Sequence, residues 1–239
     1  MTSDPITKIN PKHTKDFSDF INKKSEEGTY RVEIKIGDKI IPIDVFPRVF
    51  PPDYAPSSES VFEAFGDLKG RTVADIGTGT GIQAIVAAIA GADHVDASDI
   101  NQQAVICTES NVLLNGLGDK ISCFYSDLFS KLPARKYDLI IANLPFVNFE
   151  ATDDLVDRSL YDNDFKVHKR FFMEAKDFLA PGGKIYLPHA NLQSAGTPNP
   201  KHEFEIMEQM IYEFGYEVTG RTERTRDGFV WINYKFKLK

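Results

Sequence analysis

The sequence lacks features that are typical of secreted proteins, of membrane-spanning proteins and of proteins that bind nucleic acid over a wide surface. It contains two cysteines, Cys107 and Cys123, which excludes a disulfide framework and a cysteine-rich zinc site and fits a reducing cytoplasm. No apolar run approaches the roughly 18 residues that a membrane span needs, and the first residues lack the apolar segment typical of a secretory signal. The net charge is −7, which argues against wide contact with nucleic acid because such contact normally needs a basic face.

What the chain does contain is enough apolar material for a sizeable core. Hydrophobic residues make up 42% of the 239 residues and charged residues 26%, so we expect one folded domain with a small appendage. The histidines show no metal-ligand spacing, so we predict no metal site. The scattered ones are His13, His94, His168 and His202.

The first 56 residues differ in pattern from the rest. A short helix is predicted over His13–Lys24, and alternating residues predict a β-hairpin from Tyr30–Ile36 and Lys39–Val45. Four prolines in Phe46–Pro56 exclude a regular helix or central strand, so this stretch is predicted to be extended. A helix is predicted to follow over Ser57–Phe65.

From residue 71 onward strands and helices alternate, which is typical of a doubly wound α/β fold with a parallel sheet. The predicted strands are Thr72–Ile76, His94–Asp99, Ile121–Tyr125, Tyr137–Ala142 and Lys184–Leu187. Helices are predicted over Gly81–Ala90, Asn101–Asn115, Asp164–Leu179 and Glu203–Phe214. The last two strands, Tyr216–Arg221 and Phe229–Leu238, have no helix between them and predict an antiparallel hairpin at the sheet edge.

The first core strand ends in a glycine-rich turn. Asp75 lies in the strand, and Gly77, Gly79 and Gly81 follow at alternate positions before the next helix. This spacing differs from the dinucleotide and nucleotide-triphosphate patterns, and the preceding acid favours a ligand with a cationic group over a pyrophosphate. A plain tight turn remains the alternative for this motif taken singly.

Acids follow the next two strands as well. Asp99 ends the second strand, where a carboxylate can accept hydrogen bonds from two ribose hydroxyls. Asp127 follows the third strand and can accept from an exocyclic amine such as that of adenine. Each acid alone could be a helix cap or a solvated charge, but three features at successive strand ends together indicate a nucleoside site.

Residues 71–187 resemble a class I S-adenosylmethionine (SAM)-dependent methyltransferase. The resemblance implies a seven-stranded, mostly parallel sheet with a reversed last strand, and it implies SAM as the cofactor. It divides the chain into an N-terminal extension and lid over residues 1–56 and a SAM-binding catalytic domain over residues 57–239. Leu179–Lys184 resembles the family's turn before its fifth strand. The cofactor-binding residues that it implies are Asp75, Gly77, Thr78, Gly79, Gly81, Asp99, Ile100, Asp127, Leu128 and Asn143.

The fourth strand ends in Asn143-Leu144-Pro145-Phe146, which resembles the "(N/D)-P-P-(Y/F)" motif of the small-domain and glutamine-N5-type methyltransferases. The resemblance implies that Asn143, Pro145 and Phe146 are catalytic. Oxygen atoms at Asn143 and Leu144 can accept N–H groups of a planar nitrogen, and Phe146 can stack on it. Leu144 replaces the first proline of the motif. A turn that only closes a buried strand is the alternative.

Four further residues are candidates for contact with substrate. Phe50 and Tyr54 lie in the proline-rich stretch, Tyr161 lies in an acidic loop, and His189 follows the fifth strand. For Phe50 and Tyr54 the alternative is a surface tether, and for His189 it is an ordinary loop histidine.

The sequence therefore predicts SAM-dependent N-methyl transfer to an amino or amide nitrogen of a small molecule or protein side chain. Two alternatives remain open. One is a SAM-consuming enzyme that transfers no methyl group, by intramolecular cyclisation or attack on the aminobutyrate carbon with release of methylthioadenosine. The other is a non-catalytic SAM-binding module. The sequence predicts a cytoplasmic protein without a membrane partner, ranks a nucleobase acceptor third behind a small molecule and a protein glutamine, and leaves the oligomeric state open.

Overall fold

The computed structural model describes residues 11–52, 65–195, 197–226 and 228–239, with the backbone alone described for residues 11–18 and 226. Helix α1 spans Pro11–Glu27. Strands β1 (Tyr30–Ile36) and β2 (Lys39–Val45) form an antiparallel hairpin, as predicted. The predicted helix over Ser57–Phe65 and the predicted boundary after residue 56 fall outside the described residues, apart from Phe65 itself.

A seven-stranded sheet forms the centre of the structure. Its strands, in chain order, are β3 (Thr72–Ile76), β4 (His94–Asp99), β5 (Ile121–Tyr125), β6 (Tyr137–Ala142), β7 (Leu179–Ala190), β8 (Tyr216–Arg226) and β9 (Phe229–Leu238). In space their order is β5-β4-β3-β6-β7-β9-β8. Strand β9 is antiparallel to both of its neighbours, and the pairs among β3 to β7 are parallel. The predicted doubly wound sheet with a reversed last strand is confirmed.

The strand order reverses next to β3. The chain moves from β3 outward to β4 and β5, and then returns to place β6 on the other side of β3. The loops that follow β3 and β6 therefore diverge from a common crevice at the carboxyl ends of these strands. This is the place where open α/β sheets bind ligands.

Helices cover both faces of the sheet. Helices α2 (Ile82–Ile89) and α3 (Gln102–Leu114) lie on one face, and α5 (Lys166–Phe178) and α6 (His202–Glu213) pack into the hydrophobic cluster on the other face. Each ends within two residues of its predicted bounds. Helix α4 (Leu155–Arg158) is not predicted, because four residues are too few to show a helical period.

The N-terminal hairpin shares its core with the sheet. Ile41, Ile43 and Val45 of β2 belong to the same hydrophobic cluster as α2 and Val73 of β3. Burying each such side chain contributes about 1.5–3 kcal/mol. The side-chain amide of Asn111, on α3, donates to the carbonyl oxygen of Asp44 and accepts from its N–H, both at 2.8 Å. The hairpin is thus fixed to the helices beside the crevice.

Strands β7 and β8 are longer than predicted. The prediction began the fifth core strand at Lys184, whereas β7 already pairs with β6 at Leu179 and resumes at Lys184 after a register shift. Gly183 permits this, because a Cβ there would lie 2.8 Å from the carbonyl oxygen of Tyr137. The predicted end of β8 at Arg221 is also wrong, since β8 pairs with β9 as far as Arg226. Because this edge hairpin contains many polar residues, the hydrophobic pattern does not indicate how long its strands are.

Candidate active site

A cavity of about 1050 Å³ lies at the carboxyl ends of β3 to β6. Its walls come from the segment after the hairpin, from the loops after these four strands, and from the start of β9. It brings together most of the residues that the sequence predicts for the site. The predicted residues that line it are Phe50, Gly77, Thr78, Gly79, Asp99, Ile100, Asp127, Leu128, Asn143, Pro145, Phe146 and Tyr161. Asp75, Gly81 and His189 do not line it, and Tyr54 lies outside the described residues.

The glycine turn is held tightly against its neighbours. The N–H groups of Gly77 and Thr78 both donate to the carbonyl oxygen of Ser98, at 2.8 and 2.9 Å. A Cβ on Gly77 would lie 3.8 Å from the carbonyl oxygen of Asn143, so the turn after β3 and the corner after β6 lie side by side at the cavity wall. Gly79 has a positive φ of 58° and open space where a Cβ would be.

Position 81 needs a glycine for a structural reason. Its φ is 83°, and a Cβ would lie 2.7 Å from Cγ2 of Thr108 on α3. Gly81 allows α2 to begin where it does, and it affects the cavity only through the position of that helix.

Asp75 lies beneath the turn with no exposed surface. One carboxylate oxygen accepts from the hydroxyl of Thr78 at 2.7 Å and from the backbone N–H of Ala84 at 3.1 Å. The other oxygen, Oδ1, has no hydrogen-bond partner among the described residues. Burial raises the pKa of Asp75 to about 7, and the two hydrogen bonds oppose this shift. Asp75 is therefore placed to brace the turn and the first turn of α2.

Asp99 stands at the cavity side of the same turn. Its carboxylate accepts from the N–H of Gly79 at 2.9 Å and from that of Asn101 at 2.8 Å. Burial raises the pKa of Asp99 above its ordinary value, against the effect of these backbone donors. A carboxylate that lines the cavity and accepts from two backbone donors still has further lone pairs that can accept hydrogen bonds.

Asp127 and Leu128 form the neighbouring part of the wall. Leu128 has a positive φ of 48°, and its carbonyl oxygen accepts from the hydroxyl of Ser126 at 2.9 Å. The carboxylate of Asp127 forms an ion pair of 3.0 Å with Arg170, and both side chains are about half exposed. The acid predicted to meet a ligand amine is thus already oriented by a cation from α5.

The corner after β6 divides its side chains between core and cavity. Leu144 is 4% exposed and belongs to the main hydrophobic cluster. Asn143 and Pro145 are half-buried, and both line the cavity. Phe146 is buried with its ring edge-to-face against Trp231, at 5.9 Å between centroids. Leucine at position 144 thus adds apolar contacts on the core side of the corner.

The chain beyond Phe146 folds back over the cavity. The N–H of Val147 donates to the carbonyl oxygen of Leu160, and the N–H of Asp162 donates to the carbonyl oxygen of Val147. Tyr161 lines the cavity with its ring against that of Phe149, at 5.6 Å between centroids. The acidic loop is therefore an ordered wall, closed by backbone pairing.

His189, predicted to face the site, is fully buried on the opposite side of Phe146. Its side chain lies on the face of β7 that packs against α5 and α6, with Phe204 and His168 as ring neighbours. Neither ring nitrogen has a partner among the described residues, and burial holds the pKa of His189 well below its ordinary value. His168 places Nδ1 2.7 Å from the carboxylate of Asp162.

Several residues that line the cavity are not among those predicted from the sequence. Arg48 has a positive φ of 63° and forms a 2.8 Å ion pair with Asp154, which joins the N-terminal segment to α4. Leu192, Phe229 and Trp231 come from the loop after β7 and the start of β9. The alternation in β9 indicates that Phe229 and Trp231 share a face, but only strand order shows that this face meets Phe146.

No three histidine, cysteine, aspartate or glutamate side chains in the described ranges are grouped so that they could hold a metal ion. No described helix is both long and apolar enough to cross a bilayer.

The pattern of the methyltransferase small domain family matches residues 52–219. A Methanocaldococcus jannaschii protein that is provisionally named a protein N5-glutamine methyltransferase is 31% identical over 153 residues, covering 61% of this chain and 76% of its own. The ribosomal protein L11 methyltransferase of Desulforamulus reducens is 44% identical over 75 residues, covering 31% of this chain and 24% of its own length. The M. jannaschii tRNA m1G37 methyltransferase structure shares the fold with a TM-score of 0.59 at 20% identity, covering 87% of this chain and 56% of that one.

Proposed function

Because the chain belongs to the methyltransferase small domain family and is therefore a SAM-dependent methyltransferase, we propose that its methyl acceptor is an amino or amide nitrogen of a small molecule or protein side chain. The observation that carries the proposal is that two neighbouring strand ends lie side by side, since Ile76 of β3 pairs with Ala142 of β6. A Cβ on Gly77 would lie 3.8 Å from the carbonyl oxygen of Asn143. The glycine turn after β3 and the corner after β6 therefore share one wall of one cavity.

The residues around the turn fit SAM. Gly79 has the positive φ and the open space that a close ligand needs, and Asp99 offers acceptor lone pairs beside it. Asp127 and Ile100 line the adjoining wall, where a base would lie. Asp75 is proposed to hold the turn from below. When bound, SAM supplies an electrophilic methyl group on a positively charged sulfur.

The chain's own contribution is to orient the nitrogen and to exclude water. We assign the side-chain oxygen of Asn143 and the carbonyl oxygen of Leu144 as acceptors for the N–H groups of the substrate. Two acceptors fix the direction of the nitrogen lone pair, and such positioning accounts for much of the rate in reactions of this type. Phe146 would lie against the planar or apolar part of the acceptor. Pro145 stiffens the turn between them.

The described part of the N-terminal extension contributes one wall of the cavity. Arg48 and Phe50 line it, and Asn101 at the start of α3 donates to the carbonyl oxygen of Arg48 at 3.1 Å. We propose that residues 1–56 form an extension of the catalytic domain over residues 57–239, and that the proline-rich segment of this extension acts as a lid. The two cysteines are free thiols, which is consistent with a reducing, cytoplasmic location.

The similarity data favour a nitrogen acceptor without deciding its class. The M. jannaschii relative carries the name of a glutamine N5-methyltransferase and the D. reducens relative that of a methyltransferase of a ribosomal protein. The tRNA methyltransferase is similar at 20% identity, which speaks for the shared fold alone. We rank nucleic acid behind amines and amides because the chain carries a net charge of −7.

Identifying the nucleoside product tests the proposal. The protein is incubated with SAM alone and then with pools of amines, glutamine-containing peptides and RNA, and the product is identified by mass. S-Adenosylhomocysteine that appears only with an amine or amide supports the proposal. Methylthioadenosine formed from SAM alone would show that the enzyme attacks the aminobutyrate carbon and does not transfer the methyl group. Binding of SAM without any product would show that the protein is a non-catalytic SAM-binding module. Asn143→Ala is the matched variant, and it should bind SAM without forming product.

A further inference from the structure

The end of the cavity beyond Phe146 is walled by aromatic and aliphatic side chains. We call it the aromatic end and define it by five lining residues: Phe50, Phe146, Leu192, Phe229 and Trp231. They form one hydrophobic cluster together with Ala190. The rings of Phe146 and Trp231 meet at 78°, so they form two nearly perpendicular walls.

The charges along the cavity disfavour an anionic occupant. Each arginine in the lining is already paired with an acid. The ion pairs are Arg48 with Asp154 at 2.8 Å, Arg158 with Asp153 at 3.1 Å, and Arg170 with Asp127 at 3.0 Å. Among the described residues Lys166 is the lining cation without an ion pair, and it is exposed. Glu150 lines the cavity as well, and it forms no ion pair within the described ranges.

An aromatic wall in a cavity whose lining arginines are all paired with acids is suited to a positively charged organic group. The face of an aromatic ring carries negative electrostatic potential, and alkylammonium ions bind within about 6 Å of such faces. Of the aromatic side chains, tryptophan gives the strongest attraction, and Trp231 is 92% buried there, since its exposed fraction is 8%. A carboxylate or phosphate would meet the same ring faces unfavourably.

We propose that the aromatic end binds an alkylammonium group, so that the methyl acceptor is an aliphatic amine. This inference rests on the proposed function and narrows it from amines or amides to amines. A neutral amine nitrogen forms the new bond to the methyl carbon with its lone pair, while the carbon–sulfur bond breaks and its electron pair goes to sulfur. The positive charge thereby passes from sulfur to nitrogen, and a nitrogen that carried a hydrogen releases a proton to solvent. The rings of Phe146 and Trp231 stabilise that charge as it arrives.

Paired probes of equal shape test the charge preference. Choline and its neutral carbon analogue 3,3-dimethylbutan-1-ol differ mainly in the positive charge. Binding is measured by calorimetry and by the emission of Trp231, which is the single tryptophan of the chain. Both probes are titrated at fixed ionic strength, with and without S-adenosylhomocysteine. We expect choline to bind about 3- to 30-fold more tightly than the alcohol.

Two variants test whether the preference for the charged probe arises at the aromatic end. Phe229→Leu keeps the apolar volume but removes one ring face, and it should bring the choline-to-alcohol ratio at least threefold closer to one. Tyr212→Leu removes an exposed ring on α6 that does not line the cavity, and it should leave the ratio unchanged. Unfolding midpoints of both variants show whether the fold is retained, and the ratio in the unmodified protein is decisive if Phe229→Leu does not fold.

Each other outcome decides a separate point. Equal affinities for choline and the alcohol overturn the inference, as does tighter binding of adenosine monophosphate or a short RNA when S-adenosylhomocysteine is present. Methylation of a glutamine peptide by a protein that shows no choline preference would overturn the inference and leave the proposed function intact. Failure to bind S-adenosylhomocysteine would count against the proposed function, while the probe ratio measured without it would still test the aromatic end.

Discussion

The side chain of Gln193 forms two hydrogen bonds with the main chain of Asn148. Its Oε1 accepts from the N–H of Asn148 at 2.9 Å, and its Nε2 donates to the carbonyl oxygen of Asn148 at 3.1 Å. The backbone N–H of Gln193 in turn donates to the carboxylate of Glu203. The segment that follows Phe146 is therefore held from the loop after β7.

Removing this side chain should loosen that segment. Two hydrogen bonds of about 1 kcal/mol each, or about 2 kcal/mol together, are lost in Gln193→Ala, so local opening should become about 30-fold more frequent. Amide hydrogen exchange in peptides covering residues 146–150 should rise by that factor, while affinity for S-adenosylhomocysteine stays within twofold. Gln209→Ala, on the exposed face of α6, is the control and should change neither quantity. Unchanged exchange in Gln193→Ala would show that backbone pairing with Leu160 and Asp162 suffices.

Gly79→Ala should separate cofactor contact from folding. Gly79 and Gly116 both have a positive φ, 58° and 66°, and neither has an atom within 4 Å of a Cβ position. Alanine at either position should lower the free energy of unfolding by about 1–2 kcal/mol because of the left-handed backbone. Only Gly79→Ala should weaken binding of S-adenosylhomocysteine, by about tenfold or more, because Gly79 lines the cavity. Calorimetry and urea unfolding of the two variants measure both effects, and an equal loss of binding in Gly116→Ala would contradict the assignment.

Asp99 and Asn143 should affect different steps. Asp99→Ala removes a charged acceptor, whose loss costs about 1.5–3 kcal/mol, so affinity for S-adenosylhomocysteine should fall about 10- to 100-fold. Asn143→Ala should bind within about threefold of the unmodified protein and lose product formation by at least about 100-fold.

Asp99→Asn is the companion variant and should lose less affinity than Asp99→Ala, because an amide oxygen can still accept one hydrogen bond. Calorimetry and product mass spectrometry provide the measurements. Equal loss of binding in the Asp99 and Asn143 variants would refute this division of roles.

Glu203 should make stability depend on pH. Burial raises its pKa from 4.5 to about 7, although the N–H groups of Gln193 and Ser194 and the hydroxyl of Ser194 donate to it. Between about pH 4.5 and 7 the folded protein keeps a proton that the unfolded chain has lost. Its free energy of unfolding therefore falls as the pH rises, by a few kcal/mol at most, at about 1.4 kcal/mol per pH unit.

Glu203→Gln does not titrate, so the difference in stability between this variant and the unmodified protein should shift in favour of the variant from pH 5 to pH 8. Urea unfolding at both pH values measures the shift. Glu205→Gln lies on the same helix at an exposed position and should show no comparable trend. A difference that is constant with pH would mean that Glu203 is ionised throughout.

Short-range chemistry explains why much of the fold could be predicted. Strands β3, β4, β5 and β6 span the residues predicted for them. In β3 and β6 the apolar residues mark the strand, because a strand buried on both faces tolerates few polar residues. The glycine turn and the acids after β3 to β5 could also be found, since each depends on its own strand end. The pairing of Tyr137 with Leu179 and the full length of β8 each depend on a partner strand. No local sequence pattern shows which strand that partner is.

The α/β alternation, the turn at Gly77–Gly81 and the order of the strand-end acids can be predicted from the sequence alone, because they follow from local periodicity, glycine backbone freedom and residue spacing. Three placements emerge only from the folded structure: Asp75 lies below the cavity, His189 lies on the far side of Phe146, and Trp231 lies beside Phe146. These outcomes depend on the insertion of β9 beside β7, which brings together residues 85 positions apart in the chain, from Phe146 to Trp231. The face that a side chain presents is set by its strand's neighbours, and those are fixed only when the whole sheet assembles.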